Sequence, residues 1–192
     1  MTILIMGLVI FFGSHSISMM RPLRAQLISQ LGPMPFKGIY SILSLTGFVL
    51  IIYGFGDYRA DGLIPVWEPP RFLHHVTHLL VMLAFVMLAA AYAPMSHIKA
   101  RLKHPMLAGI KAWAFGHLLS NGDLGGMLLF GAFLAFGVID RIALKRRAID
   151  PDAPAPKPPT IVGDLIAIAV GLGAFLAMMM LHPALIGVSV MP

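Results

Sequence analysis

Long apolar runs separated by short polar ones dominate this chain, at residues 2–20, 38–56, 73–93, 105–120, 124–144 and 161–181. A helix rising ~1.5 Å per residue needs roughly 20 apolar residues to cross about 30 Å of hydrocarbon, and most of these runs approach that length. The pattern predicts an all-α fold, a polytopic transmembrane helical bundle of about six spans. The fourth run is the shortest and carries Lys111 and His117, so alone it reads as a re-entrant segment. The Asn121-Gly122-Asp123 turn that follows leaves room for only a short loop. The fourth and fifth runs are therefore expected to form an antiparallel hairpin, and the fourth to span.

The placement of lysine and arginine tests that count independently of hydropathy. Arg21, Arg24 and Lys37 lie between runs one and two; Lys99, Arg101 and Lys103 between three and four; Arg141, Lys145, Arg146, Arg147 and Lys157 between five and six. The intervening loops hold only Arg59 and Arg71, beside Asp57, Asp61, Glu68 and Asp123. Cytoplasmic loops carry the basic excess, so the alternation predicts an N-out/C-out topology. The first run has no preceding lysine or arginine and no convincing cleavage site, and is expected to remain as a helix.

Residues 150–160, DPDAPAPKPPT, read as a proline-rich cytoplasmic connector. The expected organisation is a five-helix membrane domain over 1–149, that connector, and a C-terminal transmembrane helix within 161–192. The glycines of 122–131 are expected to pack helices closely, since no phosphate-loop or dinucleotide context surrounds them.

Composition agrees with a lipid-facing protein and narrows its chemistry. Of 192 residues, 58% are hydrophobic and only 11% charged, too few polar side chains to cover a water-soluble globule. The expected partner is the lipid bilayer. A net charge of +6 would suit nucleic acid, but the cations sit between apolar runs rather than along one face, so no nucleic acid is expected. The absence of cysteine rules out thiolate metal sites, disulfides and cysteine nucleophiles. With no HExxH, no paired carboxylates within a helix and no acid at the depth of His15, the usual hydrolase constellations lack their parts.

Eight histidines remain, more than the apolar pattern needs. An imidazole inside a membrane costs free energy unless it is paired or ligates something. The topology puts His15, late in the first helix, and His104, opening the fourth, toward the cytoplasmic face. His74, His75, His78, His117 and His182 fall toward the other face, where an interfacial belt explains His74, His75 and His182 at least as well as a metal does. His97, in a basic loop, is expected to be solvated. For His78 and His117, a hydrogen bond to a neighbouring helix competes evenly with ligation or proton transfer. Lys111, seven residues after His104 and so near the same helix face, needs an anion, a cavity or a path to the surface. The strongest site these residues offer is a pair of imidazoles, His15 and His104, holding haem iron between two helices.

Three strings carry a resemblance. Phe11-Phe12-Gly13-Ser14-His15-Ser16, then Lys103-His104-Pro105-Met106-Leu107, then the segment from Lys111 to Asp123, KAWAFGHLLSNGD, resemble the NnrU family of bacterial membrane proteins over almost the whole chain. The resemblance implies a multi-pass protein of the bacterial inner (cytoplasmic) membrane linked to denitrification and nitric-oxide metabolism, with denitrification or electron-transfer proteins as partners. The family is similar in turn to the 15-cis-zeta-carotene isomerases, membrane enzymes that bind haem b through histidine. That similarity implies haem b here with His15 and His104 as metal ligands; Lys111, His117 and His78 are expected, from the residues themselves, to line the cofactor. A non-catalytic accessory or assembly factor and a haem-dependent isomerase of a lipid-soluble polyene are the alternatives, since a shared fold does not fix a shared reaction.

Overall fold

The computed structural model describes residues 1–147 and 157–190. Within them lie eight α-helices: α1 (Thr2–Ser16), α2 (Arg21–Leu31), α3 (Pro33–Ala60), α4 (Phe72–Tyr92), α5 (His97–Leu102), α6 (Pro105–Ser120), α7 (Leu124–Lys145) and α8 (Ile161–Ile186). Each of the six apolar runs is a helix. Residues 150–156 of the proline-rich connector lie outside the described residues.

Four helices, α3, α4, α7 and α8, are long and apolar enough to cross a membrane. The first run loses its end to a turn: α1 stops at Ser16, and α2 follows at 86°, so the two form a bent pair that passes the same test only jointly. The basic segment expected to be a loop is thus largely the helix α2. Proline at its start suits a position whose N–H has no intrahelical acceptor. It ends at Gly32, whose φ of +82° favours glycine, and Pro33 then opens α3. α6 has 16 residues, or ~24 Å at ~1.5 Å per residue.

The chain divides into two compact units, Met1–Glu68 with Asn121–Arg146, and Pro69–Ser120 with Arg147–Pro192. In the first, α1 and α3 pack antiparallel along a glycine seam. Gly54 lies against the backbone of Leu4, Gly7 against Ile51, and Gly47 against Phe11; a β-carbon on Gly7 would stand 2.6 Å from the Ile51 nitrogen, and one on Gly47 2.6 Å from that of Phe11. Small residues let helices approach this closely in lipid, where the hydrophobic effect does not drive them together. Leu4 is fully buried by the approach. The seam ends on a Ser14–Ser44 hydroxyl pair at 3.2 Å.

At the other end of this unit, the loop after α3 docks on the turn before α7. The Val66 and Trp67 amides donate to the Gly122 carbonyl at 2.8 and 3.1 Å, and the Leu124 amide to the Ile64 carbonyl at 2.9 Å. The buried Tyr58 ring lies on Gly125, and its hydroxyl accepts the Ile64 amide at 2.9 Å. Asp123 caps α7, its Oδ1 accepting the Gly126 amide at 2.8 Å.

In the second unit, α4 is the centre and α6 and α8 pack along it. Gly109 and Gly116 meet Ala84 and Thr77–Leu80 of α4, while Gly163 and Gly171 meet Met95 and Val86. Thr77 Oγ1 lies 2.7 Å from the Gly116 carbonyl and 3.0 Å from that of Leu73, tying α4 to α6 by a buried polar contact. The glycines of 122–131 are only partly packing residues: Gly125 and Gly126 are in close contact, but a β-carbon on Gly131 would meet nothing within 4 Å.

Candidate functional site

His15 stands on the last turn of α1, one residue beyond the end of the glycine seam. Its Nδ1 is 2.7 Å from the Phe11 carbonyl one turn back, with the Ser14 hydroxyl at 3.4 Å. A carbonyl can only accept, so Nδ1 carries the proton in this bond. Among the described residues Nε2 has no hydrogen-bond partner. Aromatic rings enclose the imidazole: Phe11 stacks on it with centroids 4.1 Å apart, Tyr40 of α3 lies at 5.5 Å, and Phe136 of α7 meets it edge-on at 6.1 Å. Phe12 and Phe133 extend this wall, 4.9 Å apart. A fixed tautomer with an open nitrogen in apolar surroundings is how protein scaffolds present a metal-binding imidazole.

The other expected site residues, His104, Lys111, His117 and His78, all belong to the second unit. His104 immediately precedes Pro105 at the start of α6 and is half-buried. Lys111 is half-buried on α6, with no ion pair among the described residues. His117 repeats the geometry of His15, its Nδ1 lying 2.8 Å from the Trp113 carbonyl and its ring 5.1 Å from that of Trp113. His78 is half-buried on α4, next to the Thr77 contact. His182 Nδ1 bonds the Val188 carbonyl at 2.8 Å. Among the described residues no three histidine or carboxylate side chains converge as a metal cluster would require. A bis-imidazole arrangement needs only two protein ligands.

His97 departs from expectation. Rather than being merely solvated, its Nδ1 lies 2.6 Å from Asp164 Oδ2, while Asp164 Oδ1 accepts the Ile98 amide at 3.0 Å. Thr160 N and Oγ1 reach the Met95 carbonyl at 3.0 and 3.1 Å, and the Lys99 ammonium donates to the Ala91 and Ala93 carbonyls at 2.9 and 3.2 Å. This polar clasp pins the start of α8 to the end of α4. The available signal was Asp164, the lone acid of the last apolar run, next to the capping Thr160.

With this geometry in view, comparison with protein families is decisive on kinship: the model described as NnrU protein matches residues 3–190. The chain belongs to the NnrU family. No curated protein and no solved structure matches it. Within the string shared with the family, the roles now separate. Gly122 and Asp123 hold the loop and cap α7, Gly116 receives Thr77, and His15 and His117 each have an imidazole oriented by the carbonyl one turn back and packed on an aromatic ring, His15 with three rings around it.

Proposed function

We propose that this NnrU-family chain is a multi-pass protein of the bacterial cytoplasmic membrane, crossing it six times with both termini outside. We further propose that it binds haem b in service of nitrogen-oxide or electron-transfer physiology. His15 is one axial ligand and His104 the second, the latter carried by the family resemblance, with Lys111, His117 and His78 lining the cofactor. The observation that carries the reading is His15, whose Nδ1 is held by the Phe11 carbonyl while Nε2 remains available. The residues fit the group: Nε2 ligation goes with a protonated Nδ1, and the rings of Phe11, Tyr40 and Phe136 suit an apolar macrocycle. When bound, haem would supply an iron capable of one-electron or Lewis-acid chemistry.

The test is the absorption spectrum of the protein purified from cells supplied with haem. A Soret band is expected, with haem content falling severalfold in His15→Ala or His104→Ala. The exposed His75→Ala is the control. His97 is unsuitable because its pairing with Asp164 makes it structural. A folded protein without a Soret band, or a His15→Ala variant as haem-rich as His75→Ala, would overturn the reading. Orientation is read from single cysteines, unique in this cysteine-free chain. An impermeant maleimide should label Asp61→Cys but not Arg101→Cys in intact cells stripped of the outer membrane.

A non-catalytic accessory role is favoured by a different observation. Gly116, Gly122 and Asp123 of the family string have architectural contacts, so much of what the resemblance shares is fold rather than chemistry.

A further inference from the structure

We infer that α2 lies flat in the headgroup layer and that Arg21, Arg24 and Lys37 bind the phosphates of anionic phospholipid. The inference rests on reading α1 and α3 as spanning helices and is independent of haem. α2 leaves α1 at 86°, so if one runs along the bilayer normal the other runs in its plane. It has eleven residues, none of them buried. At ~1.5 Å per residue that is ~16 Å, about half of the hydrocarbon thickness.

The surface that α2 and the start of α3 present mixes two kinds of exposed side chain. Met20, Leu31 and Met34 are 54%, 44% and 74% exposed, which water alone disfavours. Beside them stand Arg21, Arg24 and Lys37, all exposed. On α2 itself, Leu23, Leu27 and Ile28 are half-buried, whereas Gln26, Ser29 and Gln30 are exposed. Apolar and cationic groups at one level match the boundary between acyl chains and phosphates.

Among the described residues these cations lack a protein counter-ion. No carboxylate occurs before Asp57 in the sequence. Among the described residues none of Arg21, Arg24, Lys37 and the Asp140 of α7 takes part in an ion pair. Arg24 instead lies over the Phe36 ring, its guanidinium carbon 5.9 Å from the centroid. That contact holds the side chain in place without neutralising it. Three cations with no counter-ion among the described residues, Arg24 among them held in place, next to exposed methionine and leucine fit an anionic lipid surface better than a zwitterionic one. Each basic side chain held against such a surface contributes roughly fivefold in affinity.

The experiment uses the full chain in detergent, with native mass spectrometry after adding equimolar phosphatidylglycerol and phosphatidylcholine. Retention of phosphatidylglycerol is expected to exceed that of phosphatidylcholine by at least about fivefold. The preference should vanish in Arg21→Gln/Arg24→Gln/Lys37→Gln, survive in the charge-retaining double variant Arg21→Lys/Arg24→Lys, and persist in the charge-matched Arg101→Gln/Lys103→Gln/Lys157→Gln. Equal retention of both lipids by the wild type, or equal loss in both triple glutamine variants, would overturn the assignment. Depth is tested separately in vesicles with bimane on single cysteines. Brominated lipid should quench Leu31→Cys strongly and Gln26→Cys weakly. Equal weak quenching would place α2 in water, and equal strong quenching would make it part of a span; either result defeats the in-plane reading.

Discussion

Replacing Gly54 by alanine should damage the first unit far more than making the same change at Gly56, two residues along the same helix. A β-carbon on Gly54 would collide with the Leu4 backbone, reaching 2.7 Å from the Ile3 carbonyl carbon and 2.8 Å from the Leu4 Cα. Carbon atoms rest at about 3.5–4.0 Å, so α1 and α3 must part by about 1 Å. The obstacle is backbone, which cannot rotate away as a side chain tip can. Gly7 and Gly47 lie on the same seam, so a separation at Gly54 loosens their contacts as well. Overpacking of this kind costs about 1–3 kcal/mol. At Gly56 nothing lies within 4 Å, and alanine there keeps its helix-propensity advantage of up to about 1 kcal/mol. The propensity gain is common to both positions of α3, so the two variants should differ by the overpacking cost, about 1–3 kcal/mol. Equilibrium unfolding by sodium dodecyl sulfate, followed by circular dichroism in one detergent, reads the difference directly. If Gly54→Ala unfolds with Gly56→Ala, the α1–α3 seam described here is wrong.

Asp123→Ala removes the cap of α7 and should lower stability by about 1 kcal/mol, with Asp123→Asn recovering most of it in the same titration. Thr77→Val keeps the shape but leaves the buried Gly116 carbonyl without its cross-helix donor, at a cost of about 1–3 kcal/mol; a neutral result would mean that the hydroxyl contributes nothing to the α4–α6 contact. Asp164→Asn and His97→Ala should each lower the melting temperature, and the double variant should fall by less than the sum of the two, because both act through one hydrogen bond. Full additivity would show the two side chains to be independent.

The membrane-length helices were legible because their apolar runs are long and their punctuation is strong: Asp123 and Thr160 each start a helix where the pattern suggested a boundary, whereas α3 starts at Pro33, ahead of its run, and the short α5 falls in what read as a basic loop. α2 was not, since its residues alternate Arg, Leu and Gln without a clean apolar face, and a basic linker reads as a loop. The glycine seams were only half legible. A run such as 122–131 draws attention by density, whereas Gly7, Gly47 and Gly54 are dispersed, and their pairing depends on the antiparallel register of two helices. The clasp of His97 and Asp164 was hidden for a similar reason, as its partners are 67 residues apart. Histidine count pointed to His15, but neither its tautomer nor its aromatic wall can be read from spacing.

These differences sort the residues of the shared family string by the kind of defect their loss would produce. Asp123 and Gly122 satisfy backbone groups at the junction of the α3 loop with α7, so their loss acts on folding and reaches any bound group only through it. His15 is different: it crosses no helix interface through a hydrogen bond, since its Nδ1 returns to its own helix at Phe11. Alanine there removes an imidazole and an intrahelical bond but leaves the seam from Leu4 to Ser44 intact. A stability loss without a change in cofactor per folded molecule therefore belongs to the first class, and a cofactor loss in a normally stable protein to the second. Because the His15 ring also touches Tyr40 of α3 and Phe136 of α7, the two readouts taken together, stability and bound group per folded molecule, are what separate a packing role for it from a ligand role.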